Sequence, residues 1–573
     1  MKKNIDTTEK KTKKANKEVD KTDIVVFNII VIVCIMILAF GIAPKTLQND
    51  TFYTISCGEY IFEHGIFGLT EDPFSWHDLS YTFPHWLYDL IIYLIYLVFG
   101  SAWGTGIYMS TILLTGILGI SIYLLSLQLS NKNRVVSFII SLIAIYLSKP
   151  YIAARAQLVT FILFVWEIYF IEKLLETNKK RYIIPLLLIP LLITELHCAV
   201  YIMYFIFALP YLVEYLFVLF VDFDIDEKIF GEVFRVLSKL TRNEEKKAKY
   251  ESFIEKSRKN IESRKIKREK KRKNPYKVIA KKNPAVLTLV VVVIIAAFIG
   301  LLNPMGTGAY TYTFKIYEGN TTSSINEHLP LTLADNINIA IVLSIILAIL
   351  VLIDIKVRLS DLFMIAGTVI LMFTARRQVS LFIIMCMPIL AGFIAKFFEK
   401  YDKKLCNILL KFATSVGGTI IVIGLVGCIA YDEGSEKRGI HYISETSYPV
   451  AATEWLLNYM VENNIPVEEL HIYNEYNFGS YLLFKEIPPF IDSRCDLYTP
   501  EFNGDENKDI FSDALSVTGA NNNYQDIFEK YDVRHVMIYN STNLNIMLKN
   551  DSDYELLYDD GDFCIYKYLK AEI

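Results

Sequence analysis

Asp50 stands in the run Gln48-Asn49-Asp50-Thr51-Phe52-Tyr53, just past the first long apolar stretch, and is followed by Glu59, Glu63, His64, Glu71, Asp72, His77 and His85. This is the richest supply of acids and bases beside the apolar part of the chain. General-base chemistry needs a carboxylate or imidazole in an enclosed place where its proton affinity can be tuned, and a loop pressed against a bilayer gives that enclosure. Asp50 is therefore the candidate catalytic base, weighed against an ordinary solvated loop charge. Arg155 and Gln157, in Ala153-Ala154-Arg155-Ala156-Gln157, fall at the end of another apolar run. So do Glu195 and His197, in Thr194-Glu195-Leu196-His197, and Asn303, in Leu302-Asn303-Pro304-Met305-Gly306, with Glu327 and His328 following. Arg376 and Arg377 separate two apolar runs with only Gln378 behind them. Two guanidiniums held there can grip phosphate or pyrophosphate bidentately. The plainer readings are snorkelling or helix pairing for the arginines, and an interhelical hydrogen bond for His197. Arg155, Gln157, Glu195, His197, Asn303, Arg376 and Arg377 are the candidate substrate-binding residues.

No zinc spacing, nucleophile elbow, Walker loop or dinucleotide fingerprint occurs. Asp50 with other loop carboxylates or His197 could hold a divalent metal, although no motif requires one. The eight cysteines follow no metal or disulfide spacing and read as small buried hydrophobes.

The elements that must carry these residues are apolar. The 573-residue chain is 53% hydrophobic, with its apolar residues gathered into recurrent blocks. Candidate spans are 24–43, 86–99, 105–129, 135–149, 158–175, 183–194, 198–221, 285–302, 337–355, 360–375, 379–397 and 407–430. In a hydrocarbon core only helices satisfy every backbone group. The net charge of −4 hides a segregation: Met1 to Lys21 carries eight lysines, Arg235 to Lys282 carries 20 Lys and Arg, and Asp432 to Ile573 has ten basic residues against 27 acidic ones.

The positive-inside rule then sorts the loops. Lys132 with Arg134, Lys179 to Arg181, the arm 222–284, Lys356 with Arg358, and Lys396 to Lys404 belong on the cytoplasmic side. The loops 44–85, 150–157, 195–197, 303–336 and 376–378 and the C-terminal domain belong outside. Region 86–129 must cross an odd number of times and is too short to cross three times, so 86–99 should lie along the outer interface or dip in and return. The expected fold is an α-helical polytopic membrane protein with about 11 transmembrane helices and a C-terminal extracytoplasmic α/β domain. It divides into a basic cytoplasmic tail (1–23), an N-terminal transmembrane module (24–221), a basic cytoplasmic arm (222–284), a C-terminal transmembrane module (285–431) and a soluble domain (432–573). The arm reads either as a helix pair on anionic lipid headgroups or as a solvated, flexible segment.

In the soluble domain the pattern predicts a helix over 450–461, a strand over 471–473, a helix over 477–484, and a strand then turn over 489–494. A helix over 524–530 and strands over 533–539 and 564–568 follow. Asp492, Arg494 and Asp496 crowd the turn after Ile491, either as an ion pair that closes it or as a site for an acceptor or for docking on the membrane part.

The ordered short motifs resemble the GT-C superfamily of membrane glycosyltransferases, and especially uncharacterised bacterial GT-C-like proteins with a C-terminal soluble domain. The resembling stretches are Asp50-Thr51-Phe52 with Gly58 to Gly65, Asp72-Pro73-Phe74-Ser75-Trp76, His85-Trp86-Leu87, Arg155-Ala156-Gln157, and Glu195-Leu196-His197. Asn303-Pro304, Arg376-Arg377-Gln378, Phe478 to Leu482 and Ile491 to Arg494 complete the set. The resemblance implies an essential acid in the first outer loop, which falls on Asp50, and a polyprenyl-phosphate-linked sugar donor. Asn49-Asp50 departs from the usual Asp-Glu, Asp-Asp or Asp-x-Asp pair. The implied activity is transfer of a sugar to an extracytoplasmic acceptor at a bacterial cell membrane. Membrane lipid and the donor are the expected partners, and nucleic acid is not. A lipid or solute transporter or flippase, and a non-catalytic membrane assembly protein, are the alternatives.

Overall fold

The computed structural model describes residues 20–67, 70–273, 277–280, 283–319, 321–402, 404–437, 439–505, 507–520 and 523–570. Most of the expected basic tail 1–23 lies outside them. Helices form where the apolar blocks were expected, but among the described residues five helical stretches are long and apolar enough to cross a bilayer: Lys21–Ile42, Trp86–Leu129 (broken at Gly100), Cys198–Phe220, Arg376–Tyr401 and Val416–Ser435. Arg134–Leu147, Ala285–Ile299, Ile337–Leu352, Leu359–Thr374 and Leu405–Thr414 are apolar and shorter, at 10–17 residues. Polar and glycine breaks shorten the runs. Gly100, at φ +51°, turns the chain between Trp86–Phe99 and Trp103–Leu129. The run 407–430 splits at Ser415, whose side chain accepts from Gly418 N–H and starts a new helix.

The basic loops meet at one end of the bundle. Arg358 Nη2 sits 2.7 Å from Glu172 Oε1 and 2.6 Å from Asp361 Oδ1. Lys396 Nζ donates to the Lys356 carbonyl at 3.0 Å, and Asn283 Nδ2 donates to the Leu175 carbonyl at 2.8 Å. The arm beside them forms a helix pair, Ile225–Leu240 and Glu244–Lys273, closed by Arg268 on Asp224 at 2.6 Å and Arg264 on Asp226 at 2.8 Å. Phe230, Phe234 and Phe253 pack edge-on or tilted against one another between the two helices.

At the opposite end the expected loop 44–85 contains a 16-residue helix, Asn49–His64. It packs on Trp86–Phe99 closely enough that a Cβ on Gly58 would meet the Asp89 carbonyl oxygen at 2.2 Å. The bare glycine is what permits this approach, and it fixes the distance between Tyr53 and the turn before Trp86. Helix Lys21–Ile42 meets Val416–Ser435 in the same small-residue manner, Gly41 against Ala430.

The C-terminal domain has a four-stranded sheet in the order Ile472–Asn474, His535–Tyr539, Phe563–Tyr568, Tyr554–Asp559, parallel at the first pair and antiparallel thereafter. Helix Val450–Asn463 packs on it. The strand Tyr554–Asp559 escaped the sequence reading. The strand expected at 489–491 is irregular, because the Asn474 side chain takes its backbone bonds: Phe490 N–H donates to Asn474 Oδ1 at 2.8 Å and Asn474 Nδ2 donates to the Ile491 carbonyl at 2.7 Å.

The first outer loop shares a hydrophobic core with this domain. Tyr53, Cys57, Ile61, Tyr81 and Phe83 pack with Tyr473, Phe490 and Tyr498. The sequence reading expected the bilayer to enclose the loop, whereas here it is the C-terminal domain that covers it. Arg494 locks the joint. It is 3% exposed and bonds Asp492 and Asp72 at 2.6 Å each, while Tyr498 O–H donates to Asp492 at 2.6 Å. Two of the readings weighed for this turn thus coincide: Arg494 pairs with Asp492, and through Asp72, 422 residues away, it docks the domain on the first outer loop.

Candidate active site

A cavity of about 640 Å³ opens between the helix ends and the C-terminal domain. Asp50, Arg155, Gln157, His197 and Arg377 line it, having been brought together from four separate segments. Asp50 occupies the first turn of Asn49–His64, where the helix dipole favours a negative charge. That helix end is pinned to the C-terminal domain by Asn49 Nδ2, which donates to the Tyr476 carbonyl at 2.9 Å. Asp50 Oδ2 lies 2.8 Å from Arg155 Nε, and both side chains are about a quarter exposed. Arg155 Nη1 reaches Glu327 Oε1 at 3.4 Å. Its guanidinium thus stands between two carboxylates, with open cavity beside it.

Arg377 is held from the other side. Its Nη1–H donates to His328 Nε2 at 2.7 Å. Burial, and then the Arg377 charge, push His328 down to about 4, so the ring is neutral and offers a lone pair. The backbone N–H groups of Arg376 and Arg377 donate to the Leu329 and Glu327 carbonyls at 2.9 and 3.0 Å, which clamps the 327–329 segment onto this turn. His197 Nδ1 pairs with Thr160 Oγ1 at 2.9 Å, and burial, reinforced by His85 and Arg377, pushes it down to about 3. It presents a neutral imidazole to the cavity and at the same time fulfils the helix-linking role weighed against function.

Three candidates stand elsewhere. Glu195 accepts from Trp86 Nε1 at 2.7 Å and does not line the cavity. Asn303 folds onto its own turn, with Oδ1 accepting from Met305 N–H at 2.8 Å and Nδ2 donating to the Gly306 carbonyl at 3.2 Å. Arg376 does not line the cavity, and its carbonyl accepts from Tyr151 O–H at 3.2 Å. In a turn of three residues adjacent side chains diverge, so only one of the two arginines faces the cavity.

The cavity wall also contains Glu475, which the sequence reading passed over, and Asp496 and His85, which it named outside the candidate set. Glu475 follows strand Ile472–Asn474, is 7% exposed, and is pushed up to about 7 by burial. Asp496 accepts from Tyr312 O–H at 3.0 Å, and burial raises its proton affinity. His85, named as a loop base and in the motif His85-Trp86-Leu87, lies between Tyr53 Oη at 3.1 Å and Asp89 at 2.9 Å. The only local signal was His85 and Asp89 at i,i+4 across a helix start.

Among the described residues no group of three or more His, Cys, Asp or Glu side chains converges to hold a metal ion. With Asp50 paired to Arg155 and His197 to Thr160, the expected donor set does not fit one.

No protein-family model matches the sequence, and no curated protein does. Among solved structures, the chain superposes on the archaeal oligosaccharyltransferase AglB from Archaeoglobus fulgidus, in complex with an inhibitory peptide and a dolichol-phosphate, with a TM-score of 0.52 at 13% identity, covering 96% of this chain and 75% of that one. The same enzyme in the apo form gives a TM-score of 0.49 at 12% identity, over 96% and 75% of the two chains. At this identity the likeness establishes the architecture: the chain has a GT-C-like fold.

Proposed function

We propose that the chain is a GT-C-type membrane glycosyltransferase that moves a sugar from a polyprenyl-phosphate-linked donor to an extracytoplasmic acceptor. The supporting observation is that Asp50, Arg155 and Arg377 share one cavity within a GT-C-like fold. In this reading the acceptor hydroxyl gives its proton to the Asp50 carboxylate as its oxygen attacks the anomeric carbon. The bond from that carbon to the phosphate oxygen breaks, and the phosphate leaves with the electron pair. Arg377, with its guanidinium fixed by neutral His328, neutralises that charge, the main electrostatic contribution. Arg155, rather than Arg376, supplies the second guanidinium. A donor phosphate competes with Asp50 for Arg155, so donor binding frees the base as it delivers the sugar.

The same reading has eleven crossings, a cytoplasmic N-terminus and an extracytoplasmic C-terminal domain. It is supported by the gathering of the basic loops at the bundle end away from the cavity. Two measurements test it. A strain lacking the protein should accumulate a polyprenyl-linked sugar in its extracted lipids. Asp50→Asn should lower transfer by about 10²- to 10⁴-fold, and full transfer by that variant would exclude Asp50 as base.

A further inference from the structure

Tyr53, His85 and Asp89 take no part in the transfer step as written, yet they form a directed chain of hydrogen bonds at the cavity wall. Tyr53 Oη lies 3.1 Å from His85 Nε2, and His85 Nδ1 lies 2.9 Å from both carboxylate oxygens of Asp89. Tyr53 is 8% exposed, His85 13% and Asp89 0%. Tyr53 and His85 line the cavity, while Asp89 stands behind them. A carboxylate that only accepts commits the Nδ1 proton, so Nε2 carries the lone pair and Tyr53 donates to it. Asp50 and Tyr53 are three residues apart on helix Asn49–His64, and side chains at that spacing share a helix face. The candidate base thus shares a cavity and a helix face with the phenol at the head of this chain, whose far end is the buried carboxylate.

We propose that Tyr53, His85 and Asp89 form a proton relay that discharges Asp50 after each transfer. The proposal rests on the reading of Asp50 as the acceptor's base. The Asp50 O–H bond made during transfer breaks as its proton moves to Tyr53 Oη, and the original Tyr53 proton moves to His85 Nε2. Asp50 returns to a carboxylate, Tyr53 remains a phenol, and His85 becomes an imidazolium facing Asp89. With Nδ1 held by Asp89, His85 gives the added Nε2 proton to water in the cavity it lines once its bond to Tyr53 opens. His85 must therefore be neutral before each turnover. The groups facing it are Asp89 in its own turn, Tyr53 and Asp50 from helix Asn49–His64, and His197, whose ring centroid is 6.2 Å away. Burial disfavours the charged ring, but the Asp89 carboxylate outweighs it and holds His85 above the usual imidazole value of 6.5.

The test uses the full chain in lipid nanodiscs with membranes of a strain lacking the protein as the source of donor and acceptor. Consumption of lipid-linked sugar is followed from pH 5 to 9. The wild-type kcat should fall on the acid side with a midpoint above 6.5. Tyr53→Phe should lower kcat about 10- to 100-fold, leave the apparent KM for donor lipid unchanged, and abolish that acid limb. Asp89→Asn keeps an acceptor for Nδ1–H and should move the limb toward acid by about one to three units, a shift that a packing role alone does not produce. If Tyr53→Phe fails to fold, His85→Gln replaces it, with the same loss of the limb expected. An unchanged kcat in Tyr53→Phe, or an unmoved limb in Asp89→Asn, overturns the relay and leaves the transferase reading standing. A wild-type chain that consumes no lipid-linked sugar overturns the transferase reading, and the relay falls with it.

Discussion

Replacing Arg494 with Met should separate the first outer loop from the C-terminal domain. The guanidinium is 3% exposed and bonds two carboxylates that are themselves 0% exposed, Asp72 and Asp492, with the rings of Phe74 and Tyr81 against it at 5.1 and 4.9 Å. Methionine keeps the apolar stem and removes the charge, so two buried carboxylates face each other with no cation between them. Breaking a buried pair in this way costs about 3–5 kcal/mol. At about 2–4 °C per kcal/mol for a unit of this size, the melting temperature should fall by about 6–20 °C. Thermal unfolding of the purified full chain in nanodiscs measures the shift. Maleimide labelling of Cys57, which is 0% exposed in the shared core, reports whether the loop has detached. Neutralising all three charges together, with Asp72→Asn and Asp492→Asn added, should recover most of the loss, because no uncompensated charge remains. A single variant that melts within about 2 °C of wild type and keeps Cys57 protected, on the scale used above, would refute the claim that this triad holds the joint.

Arg377→Lys should weaken binding of polyprenyl phosphate, measured by equilibrium dialysis in nanodiscs, by about tenfold or more, because a point charge replaces a fork held by His328. Arg376→Lys, whose side chain does not reach the cavity, should bind as wild type does. Gly58→Leu should destabilise the chain by about 1–3 kcal/mol or more, since even the Cβ would meet the Asp89 carbonyl at 2.2 Å; thermal unfolding checks it. Glu475 holds its proton to about 7 in the fold against 4.5 ordinarily, so its favourable contribution is complete below 4.5 and is lost as pH rises through 7. Glu475→Gln should therefore gain on wild type by up to about 3 kcal/mol between pH 4 and pH 8, and a pH-independent difference in melting temperature would contradict the burial of that carboxyl.

Much of this protein was legible in one dimension. Apolar blocks, with their ends marked by Lys and Arg, set where helices form, because a backbone in hydrocarbon has no other means of satisfying its hydrogen bonds. Asp50, Arg155, Gln157, His197 and Arg377 were readable as polar residues at the ends of such blocks, and sidedness was enough to predict that they meet. Strand periodicity likewise located three of the four strands of the C-terminal domain. What the sequence left undecided depends on direction and on distant partners. Which of Arg376 and Arg377 turns inward is set by a three-residue helical turn clamped to the 327–329 backbone. Glu195 and Asn303 spend their polar atoms on Trp86 and on a local turn, neither of which composition reveals. The cover over the outer loop, the partner of Arg494 across 422 residues, and the file Tyr53–His85–Asp89 exist only because Gly58 lets two helices meet and a shared core draws the C-terminal domain onto them. Local pattern encodes which face of an element is apolar; which faces then touch is fixed by packing, and that packing decides how much of the candidate chemistry lies within reach of the cavity.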